Sequence, residues 1–146
     1  MSTPLRAESA YPYVSRNQPC KLKQLNLKTN YPKATGYYGP YTIQDKELIK
    51  AQVYLTTISI GIAAANSFQY YSTGIYATDC NKTPLNHAIQ VIGWGSVMNA
   101  DGTSIEYWIA KNQWDAYWGE QGYMKIQMIN GTGVCGMNLE ISYAKA

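Results

Sequence analysis

The sequence predicts an α+β domain in which one helix is followed by a mostly antiparallel sheet that curls into a half-barrel. Three observations predict this class. Residues 44–54 carry apolar side chains at helical spacing. Residues 99–102, Asn-Ala-Asp-Gly, lie between two β-like runs and are typical of a hairpin loop, which joins antiparallel strands. Tyrosine occurs 14 times, and it favours half-buried strands in which one end of the side chain stays wet.

The predicted elements follow in order along the chain. The helix is expected to begin near Thr42 or Asp45, either of which can cap it, and to bury Leu48, Ile49 and Val53. A single turn or short helix is expected at residues 68–71. Strands are predicted at residues 34–38, 57–64, 88–93, 106–112 and 122–128.

The first 40 residues differ from the rest of the 146-residue chain, because five of the six prolines lie there. Proline interrupts regular structure and marks turns. We therefore predict that residues 1–40 form an irregular segment that packs on a β-rich lobe at residues 41–146. Together the two parts are expected to make a single domain.

Charge and hydropathy argue against nucleic-acid binding and against a membrane span. The net charge of +3 is too small to indicate a nucleic-acid-binding surface. The longest apolar run, residues 60–65, is far shorter than the roughly 20 residues that a membrane span needs. The first residues, MSTPLRAESAYPY, contain no apolar stretch of the kind found in secretory signals.

Three cysteines, Cys20, Cys80 and Cys135, are spaced too far apart to match a zinc motif. Their odd number suggests one disulfide and one cysteine outside it. Asn81 and Asn130 each begin an Asn-x-Thr sequon, so both are candidates for glycosylation. Sequons together with a disulfide favour an oxidising compartment.

Several motifs at fixed spacing resemble the papain family of cysteine proteases. The stretch NHAIQVIGWG at residues 86–95 contains the only histidine, and YWIAKNQWDAYWGEQGYMKI follows at residues 107–126. Upstream, SAYPY and a cysteine after six further residues occupy residues 9–20, and SFQYYSTGIY occupies residues 67–76. The resemblance extends over about residues 5–143, and it implies the right-hand, β-rich lobe of a two-lobed protease.

The resemblance implies that His87 is the general base and that Asn112 orients its imidazole. A cysteine reacts as the thiolate, so it needs a neighbouring base, and the base needs a hydrogen-bonding partner on its other nitrogen. Trp114 would cover the His–Asn hydrogen bond, and Trp118 would help form the wall that contacts the primed side of the substrate. No cofactor is implied, and a lone histidine does not make a metal site, which needs three or four ligands.

The family's nucleophilic cysteine has no counterpart among these residues. It lies in a Gln-x-Gly-x-Cys-Gly-Ser-Cys-Trp segment of the helical left-hand lobe, and nothing in the sequence matches that segment. By the same resemblance, Cys80 and Cys135 form a disulfide, whereas Cys20 is free or bonded to another chain. The chain is therefore expected to be inactive unless a cysteine-bearing protein partner supplies the nucleophile.

The resemblance also implies a substrate pocket. Glu140, five residues after Cys135, would form the floor of the pocket for the second residue before the scissile bond, P2. Gly61, Leu85 and Ala88 would form its walls. A carboxylate and a glycine make a roomy, acidic pocket, so an assembled enzyme is expected to accept arginine at P2 as well as apolar residues.

Alternative interpretations remain for the same residues. A lone histidine is more often a core or surface residue than a base, and both tryptophans are expected to pack as well. Gln113 and Asp115 replace the serine and the glycine that are usual in the family. The chain is accordingly one part of a processed protease that acts on peptides, a protease-derived inactive subunit of a larger assembly, or an inactive fragment. The resemblance implies a lysosomal, vacuolar or secreted location.

Overall fold

The computed structural model describes residues 7–21, 33–78 and 80–145, and the α+β fold is confirmed. Helices α1, Lys46–Leu55, and α2, Asn66–Gln69, accompany a seven-stranded sheet. The strands, numbered along the chain, are β1 Gly36–Tyr41, β2 Ile58–Ile62, β3 Ile75–Tyr76, β4 His87–Met98, β5 Ser104–Lys111, β6 Tyr123–Gln127 and β7 Ile141–Lys145.

The sheet has the strand order β1-β7-β2-β4-β5-β6-β3. β4 pairs antiparallel with β2 on one side and with β5 on the other, and β3 with β6 is a parallel pair. The predicted hairpin loop connects β4 and β5, and Asn99 N donates to Thr103 O at 2.8 Å across it. This arrangement brings the start of β4 and the end of β5 to the same edge of the sheet, because the two strands run in opposite directions.

The described residues divide into two units. Residues 38–143 form one unit, and the described residues before 38 form the other together with Ala144 and Lys145. In the smaller unit, Ala10 N donates to Ala7 O in a turn, and Cys20 is free and exposed. Residues 1–6 and 22–32 of the predicted irregular segment lie outside the described residues, and the packing of that segment on the lobe remains a prediction.

The hydrophobic core is built from the helices and the central strands. In β2, Ile58, Ile60 and Ile62 are buried at alternate positions, as expected for a strand with one covered face. Helix α1 buries Ile49 and Val53, which lie one turn apart. The prediction that Leu48 shares this face is wrong, because its side chain points about 100° away from Ile49 around the helix and is 61% exposed.

Several element boundaries differ from those predicted. Asp45 caps α1, since its carboxylate accepts from Glu47 N at 2.8 Å, whereas Thr42 Oγ1 donates to Leu139 O. Strand β4 extends five residues beyond its predicted end, because pairing with β5 resumes after a bulge between Val91 and Gly93. The short strand β3 and the last strand β7 are not predicted by the sequence. No helix within the described ranges is long and apolar enough to cross a membrane.

Candidate active site

His87 is the first residue of β4, and the residue before it fixes where the strand begins. Asn86 N donates to Ile62 O at 3.1 Å. The Asn86 side chain makes two hydrogen bonds to the backbone of Ala64, one as donor at 3.2 Å and one as acceptor at 2.8 Å. His87 then lies opposite Ile62 in the pairing of β4 with β2, so β2 and the residues that follow it hold the start of β4.

The side chain of Asn112, which directly follows β5, meets the imidazole of His87. Asn112 Oδ1 lies 2.9 Å from His87 Nε2 and also accepts from Gln113 N at 2.9 Å. A backbone N–H can only donate, so this atom is the acceptor oxygen and His87 Nε2 carries the shared proton. The neutral imidazole then has its lone pair on Nδ1, to which the described side chains make no hydrogen bond.

Asn112 is deeply buried, although it lies at the end of a strand. Its side chain is 5% exposed, and its backbone N donates to Gly122 O at 2.9 Å. Its Nδ2 is buried without a hydrogen-bond partner among the residues that the structure describes. The amide oxygen of Asn112 therefore has two hydrogen-bond partners, whereas its amide nitrogen has none among the described residues.

Aromatic rings enclose the His87–Asn112 hydrogen bond. The Trp114 ring lies over the imidazole with the ring centroids 4.7 Å apart. Phe68 is fully buried and meets both rings edge-on, at 5.6 Å from His87 and 5.5 Å from Trp114. Such a low-dielectric surrounding strengthens the hydrogen bond. Trp114 is itself 38% exposed, so it covers the bond on one side and faces solvent on the other.

Trp118 packs in the core, as both tryptophans are expected to, and its place on the primed-side wall stays a prediction. It is 9% exposed, because its ring packs on Phe68 at 5.2 Å and on Tyr71 at 5.6 Å. Its Nε1 donates to the carbonyls of Phe68 and Gln69, both at 3.2 Å. Trp118 therefore holds α2 in place, and the exposed ring at this end of the site belongs to Trp114.

A carboxylate, that of Glu120, fixes the segment between α2 and β3. Its Oε1 accepts from Tyr71 OH at 3.3 Å and from Thr73 Oγ1, Gly74 N and Lys125 Nζ at 3.1 Å each. The hydrogen bond from Lys125 holds the pKa of Glu120 below its ordinary value, and the same bond raises the pKa of Lys125. Burial raises the pKa of the Tyr71 hydroxyl. Glu120 therefore ties the segment after α2 to Lys125 of β6.

A pocket of about 220 Å³ lies beside His87, which is one of its lining residues. It brings together the four residues that the resemblance assigns to the P2 pocket, namely Gly61, Leu85, Ala88 and Glu140. The sequence does not predict the remaining lining residues, Pro40, Ser59, Ile60 and Ser142. Ser142 has a sequence signal, because it follows Glu140 by two residues, and alternate residues of an extended chain share a face.

The Glu140 side chain packs against Gly61. A β-carbon on Gly61 would lie 3.3 Å from Glu140 Oε2 and only 2.8 Å from Leu85 Cδ1. In the described part of the chain, Glu140 takes part in none of the ion pairs. Glycine at position 61 therefore leaves room for Leu85 and for the Glu140 carboxylate, which lines the pocket without an ion-pair partner among the described residues.

Cys80 and Cys135 are joined by a disulfide, with their Cα atoms 5.2 Å apart. Cys135 lies in a short helical turn, Val134–Gly136. A β-carbon on Gly136 would meet Leu85 Cδ2 at 3.0 Å, so the pocket wall packs directly on this turn. The disulfide thus ties the segment before β4 to the turn against which Leu85 packs.

Both sequon asparagines are exposed. Asn130 Oδ1 accepts from Lys46 N at 3.0 Å, at the start of α1. A glycosylated asparagine keeps its amide oxygen, so this contact is compatible with a glycan on the nitrogen of Asn130.

Comparison with known sequences gives matches over almost the whole chain. A family model described as papain family cysteine protease matches residues 2–145. The senescence-specific cysteine protease SAG12 of Arabidopsis thaliana is 36% identical over 144 residues, which cover 95% of this chain and 39% of that protein. Cathepsin L2 of Homo sapiens is 35% identical over 141 residues, which cover 95% and 41%. The chain thus spans about two fifths of the length of these relatives.

Solved structures give the same result for the fold. The structure of the bromelain protease from Ananas comosus in complex with the E64 inhibitor has a TM-score of 0.80 at 29% identity, covering 95% of this chain and 61% of that chain. Digestive procathepsin L 3 of the Tenebrio molitor larval midgut has a TM-score of 0.80 at 29% identity, covering 99% and 45%. The predicted right-hand-lobe fold is confirmed.

Proposed function

We propose that this chain, which belongs to the papain family of cysteine proteases, supplies the His/Asn half of a peptidase active site. Peptide-bond hydrolysis would then require a cysteine-bearing segment that is not among these 146 residues. The observation that carries the proposal is the 2.9 Å contact between His87 Nε2 and Asn112 Oδ1, which leaves Nδ1 available as a base. The greater length of the matched relatives is consistent with such a segment.

In the proposed reaction, His87 Nδ1 takes the proton of the cysteine thiol, and the thiolate attacks the carbonyl carbon of the scissile bond. The imidazolium then gives this proton to the amine as the C–N bond breaks, which leaves a thioester. Water, losing a proton to the same Nδ1, hydrolyses the thioester and releases the acid product and the thiol. Asn112 keeps the ring oriented through Nε2–H during both steps.

The direct test is to assemble this chain with the cysteine-bearing left-hand lobe of a papain-family relative and to measure peptide hydrolysis. The assembled protein should hydrolyse peptides, the chain alone should not, and His87→Ala should lower the assembled rate by about a thousandfold or more. Gln90→Ala, an exposed change on the same strand, is the control and should leave the rate nearly unchanged. Hydrolysis by the chain alone, or an active His87→Ala protein, contradicts the proposal.

An active-site-directed epoxide probe tests the arrangement in protein isolated from its natural source. Label on a copurifying chain, or on a segment joined to this one, supports an assembled peptidase. If no copurifying chain is labelled, the protein is a protease-derived subunit without this activity.

We also propose that the pocket beside His87 receives the P2 side chain and that Glu140 pairs with arginine there. The support is an unpaired carboxylate at an open pocket, since arginine binds carboxylates with two parallel hydrogen bonds. In an assembled enzyme, Glu140→Gln should lower the ratio of kcat/KM for P2-Arg to that for P2-Leu by about tenfold or more. A ratio that does not change contradicts this assignment.

We propose a lysosomal, vacuolar or secreted location for the protein. The Cys80–Cys135 disulfide supports it, because disulfides persist mainly in oxidising compartments. Fractionation of source cells should recover the protein outside the cytosol, and removal of glycans should lower its mass if Asn81 or Asn130 is modified. Recovery in the cytosol would contradict the proposal.

A further inference from the structure

The hydrogen-bonded ladder between β4 and β5 stops just before the candidate active site. Its last pair is Gln90 with Lys111. If the same antiparallel register continued by two residues, Ala88 would lie opposite Gln113, and the backbone N–H of Gln113 would donate to the Ala88 carbonyl. In the structure, the backbone N–H of Gln113 does not make this hydrogen bond, because it donates to Asn112 Oδ1.

The Ala88 carbonyl faces β5 and not β2. Gly61, which lies opposite Ala88 in β2, gives its own N–H to Glu140 O at 2.9 Å. The backbone N–H and C=O of Gly61 therefore point away from β4, and Gly61 and Ala88 form a pair that exchanges no hydrogen bonds. The backbone groups of Ala88 accordingly point away from β2, towards β5. Without the backbone N–H of Gln113, the Ala88 carbonyl needs another donor.

Gln113 supplies that donor from its side chain. Its Nε2 donates to Ala88 O at 3.1 Å. Its backbone N–H donates instead to Asn112 Oδ1 at 2.9 Å, the oxygen that also lies 2.9 Å from His87 Nε2. Gln113 thus binds both Asn112 Oδ1, which is the acceptor of the His87–Asn112 hydrogen bond, and the carbonyl of Ala88, which follows His87.

We infer that Gln113 is a positioning residue for the His87–Asn112 pair. Its side chain replaces the strand hydrogen bond to Ala88, and this leaves its backbone N–H to fix the Asn112 oxygen. The inference gives a role to one of the two positions at which the chain departs from the usual family sequence. It rests on the proposed function of His87 as the base, but the geometry is testable without any nucleophile.

The test uses the fact that His87 is the only histidine, so its ring gives the only imidazole nitrogen signals in a ¹⁵N NMR spectrum of the full chain. In the unaltered chain the neutral ring should carry its proton on Nε2. Gln113→Met keeps the length of the side chain but removes the donor. It should produce a mixture of the two tautomers, with roughly fivefold faster exchange of the Nε2 proton with water, the factor expected for one ordinary hydrogen bond.

Gln90→Met is the matched control. Gln90 lies on the same face and lines the same open groove as Gln113, but its Nε2 donates to Thr57 Oγ1 at 2.8 Å. This variant should leave the tautomer and the exchange rate of His87 unchanged. An unchanged His87 in Gln113→Met, or an equal change in both variants, overturns the inference. In an assembled enzyme, Gln113→Met should lower kcat more than it changes KM.

If Gln113→Met does not fold, the unaltered chain decides the question. The side-chain amide protons of Gln113 should exchange with water more slowly than those of Gln121, an exposed glutamine. Equal rates overturn the inference. The NMR and proton-exchange measurements do not need the cysteine, so their failure is distinct from a failure of peptide hydrolysis, which would overturn the proposed function alone.

Discussion

Gly61 and Glu140 share one space beside His87, since a β-carbon on Gly61 would lie 3.3 Å from Glu140 Oε2. The two residues come from different parts of the chain and meet because Gly61 N donates to the Glu140 carbonyl at 2.9 Å. The same backbone bond that joins the strands thus places a carboxylate over a glycine. The width of the pocket depends on the absence of a side chain at Gly61, and its negative charge comes from Glu140.

We predict that Gly61→Ala narrows this pocket. The added methyl group would lie 2.8 Å from Leu85 Cδ1, so Leu85 must shift. In an assembled enzyme, kcat/KM for P2-Arg relative to P2-Ala should fall about tenfold, as is typical for one added methyl group in a substrate pocket. Gly93→Ala is the control, because the nearest atom to its added methyl group would be 3.9 Å away. The same ratio in Gly61→Ala and in the wild type would rule out this pocket as the P2 site.

Removal of the Cys80–Cys135 disulfide should strongly destabilise the chain. The bond joins residues 55 positions apart, and for such a loop the chain-entropy model gives about 4 kcal/mol. Urea unfolding of a Cys80→Ser/Cys135→Ser double variant should show a loss of this size in the free energy of unfolding. Cys20→Ser should change it by less than about 0.5 kcal/mol, because Cys20 is free and exposed. Equal stability of both variants would contradict the prediction.

The sequence predicts the larger elements well because their signals are local. The spacing of Ile49 and Val53 identifies α1, and the Asn-Ala-Asp-Gly loop identifies the β4–β5 hairpin. The exposure of Leu48 is not local, since it depends on which face of α1 meets β4. Strand β3 has only two residues and exists through its pairing with β6, so its own residues carry too little pattern to predict it.

The central contact of the site was predictable, whereas its support was not. The resemblance implies that Asn112 orients His87, and the two residues meet because they lie at the ends of neighbouring antiparallel strands. Trp118 is expected to pack, but no spacing in the sequence reveals that its partner is Phe68. The double role of Gln113 depends on where the β4–β5 ladder stops, and only the register determines that position.

Asp115 has a left-handed backbone conformation, with φ of 69°. Its carboxylate accepts from Ala116 N at 2.5 Å, a local contact that helps Asp tolerate this region. We predict that Asp115→Ala lowers the free energy of unfolding by about 1 kcal/mol, because alanine keeps the β-carbon and loses the contact, whereas Asp115→Gly changes it by less than about 0.5 kcal/mol. Thermal unfolding of both variants measures this. Equal losses would show that the side-chain contact matters and the backbone conformation does not.

Glu106 of β5 forms ion pairs with two lysines of α1, Lys46 and Lys50, and these tie the helix to the sheet. The hydrogen bond from Lys46, followed by that from Lys50, holds the pKa of Glu106 below its ordinary value. A carboxylate whose pKa is lowered on folding stabilises the fold above its unfolded value of 4.5, and this stabilisation is lost as the pH falls through the folded value. The hydrogen bond that Lys50 donates to Glu106 raises the pKa of Lys50, so the Lys50 contribution is instead lost at alkaline pH, above 10.5.

Glu106→Gln should therefore lower the free energy of unfolding by about 1 kcal/mol at neutral pH, a modest value because all three side chains reach solvent. Urea unfolding at a series of pH values should show the difference from the wild type shrinking towards zero as the pH falls below 4.5. Glu47→Gln is the control, since Glu47 is 63% exposed and, among the described residues, forms an ion pair only with Lys50, so its effect should be within about 0.5 kcal/mol throughout. If the Glu106→Gln difference instead persists in acid, the loss comes from packing, because the protonated carboxyl group no longer carries the charge that the two lysines bind.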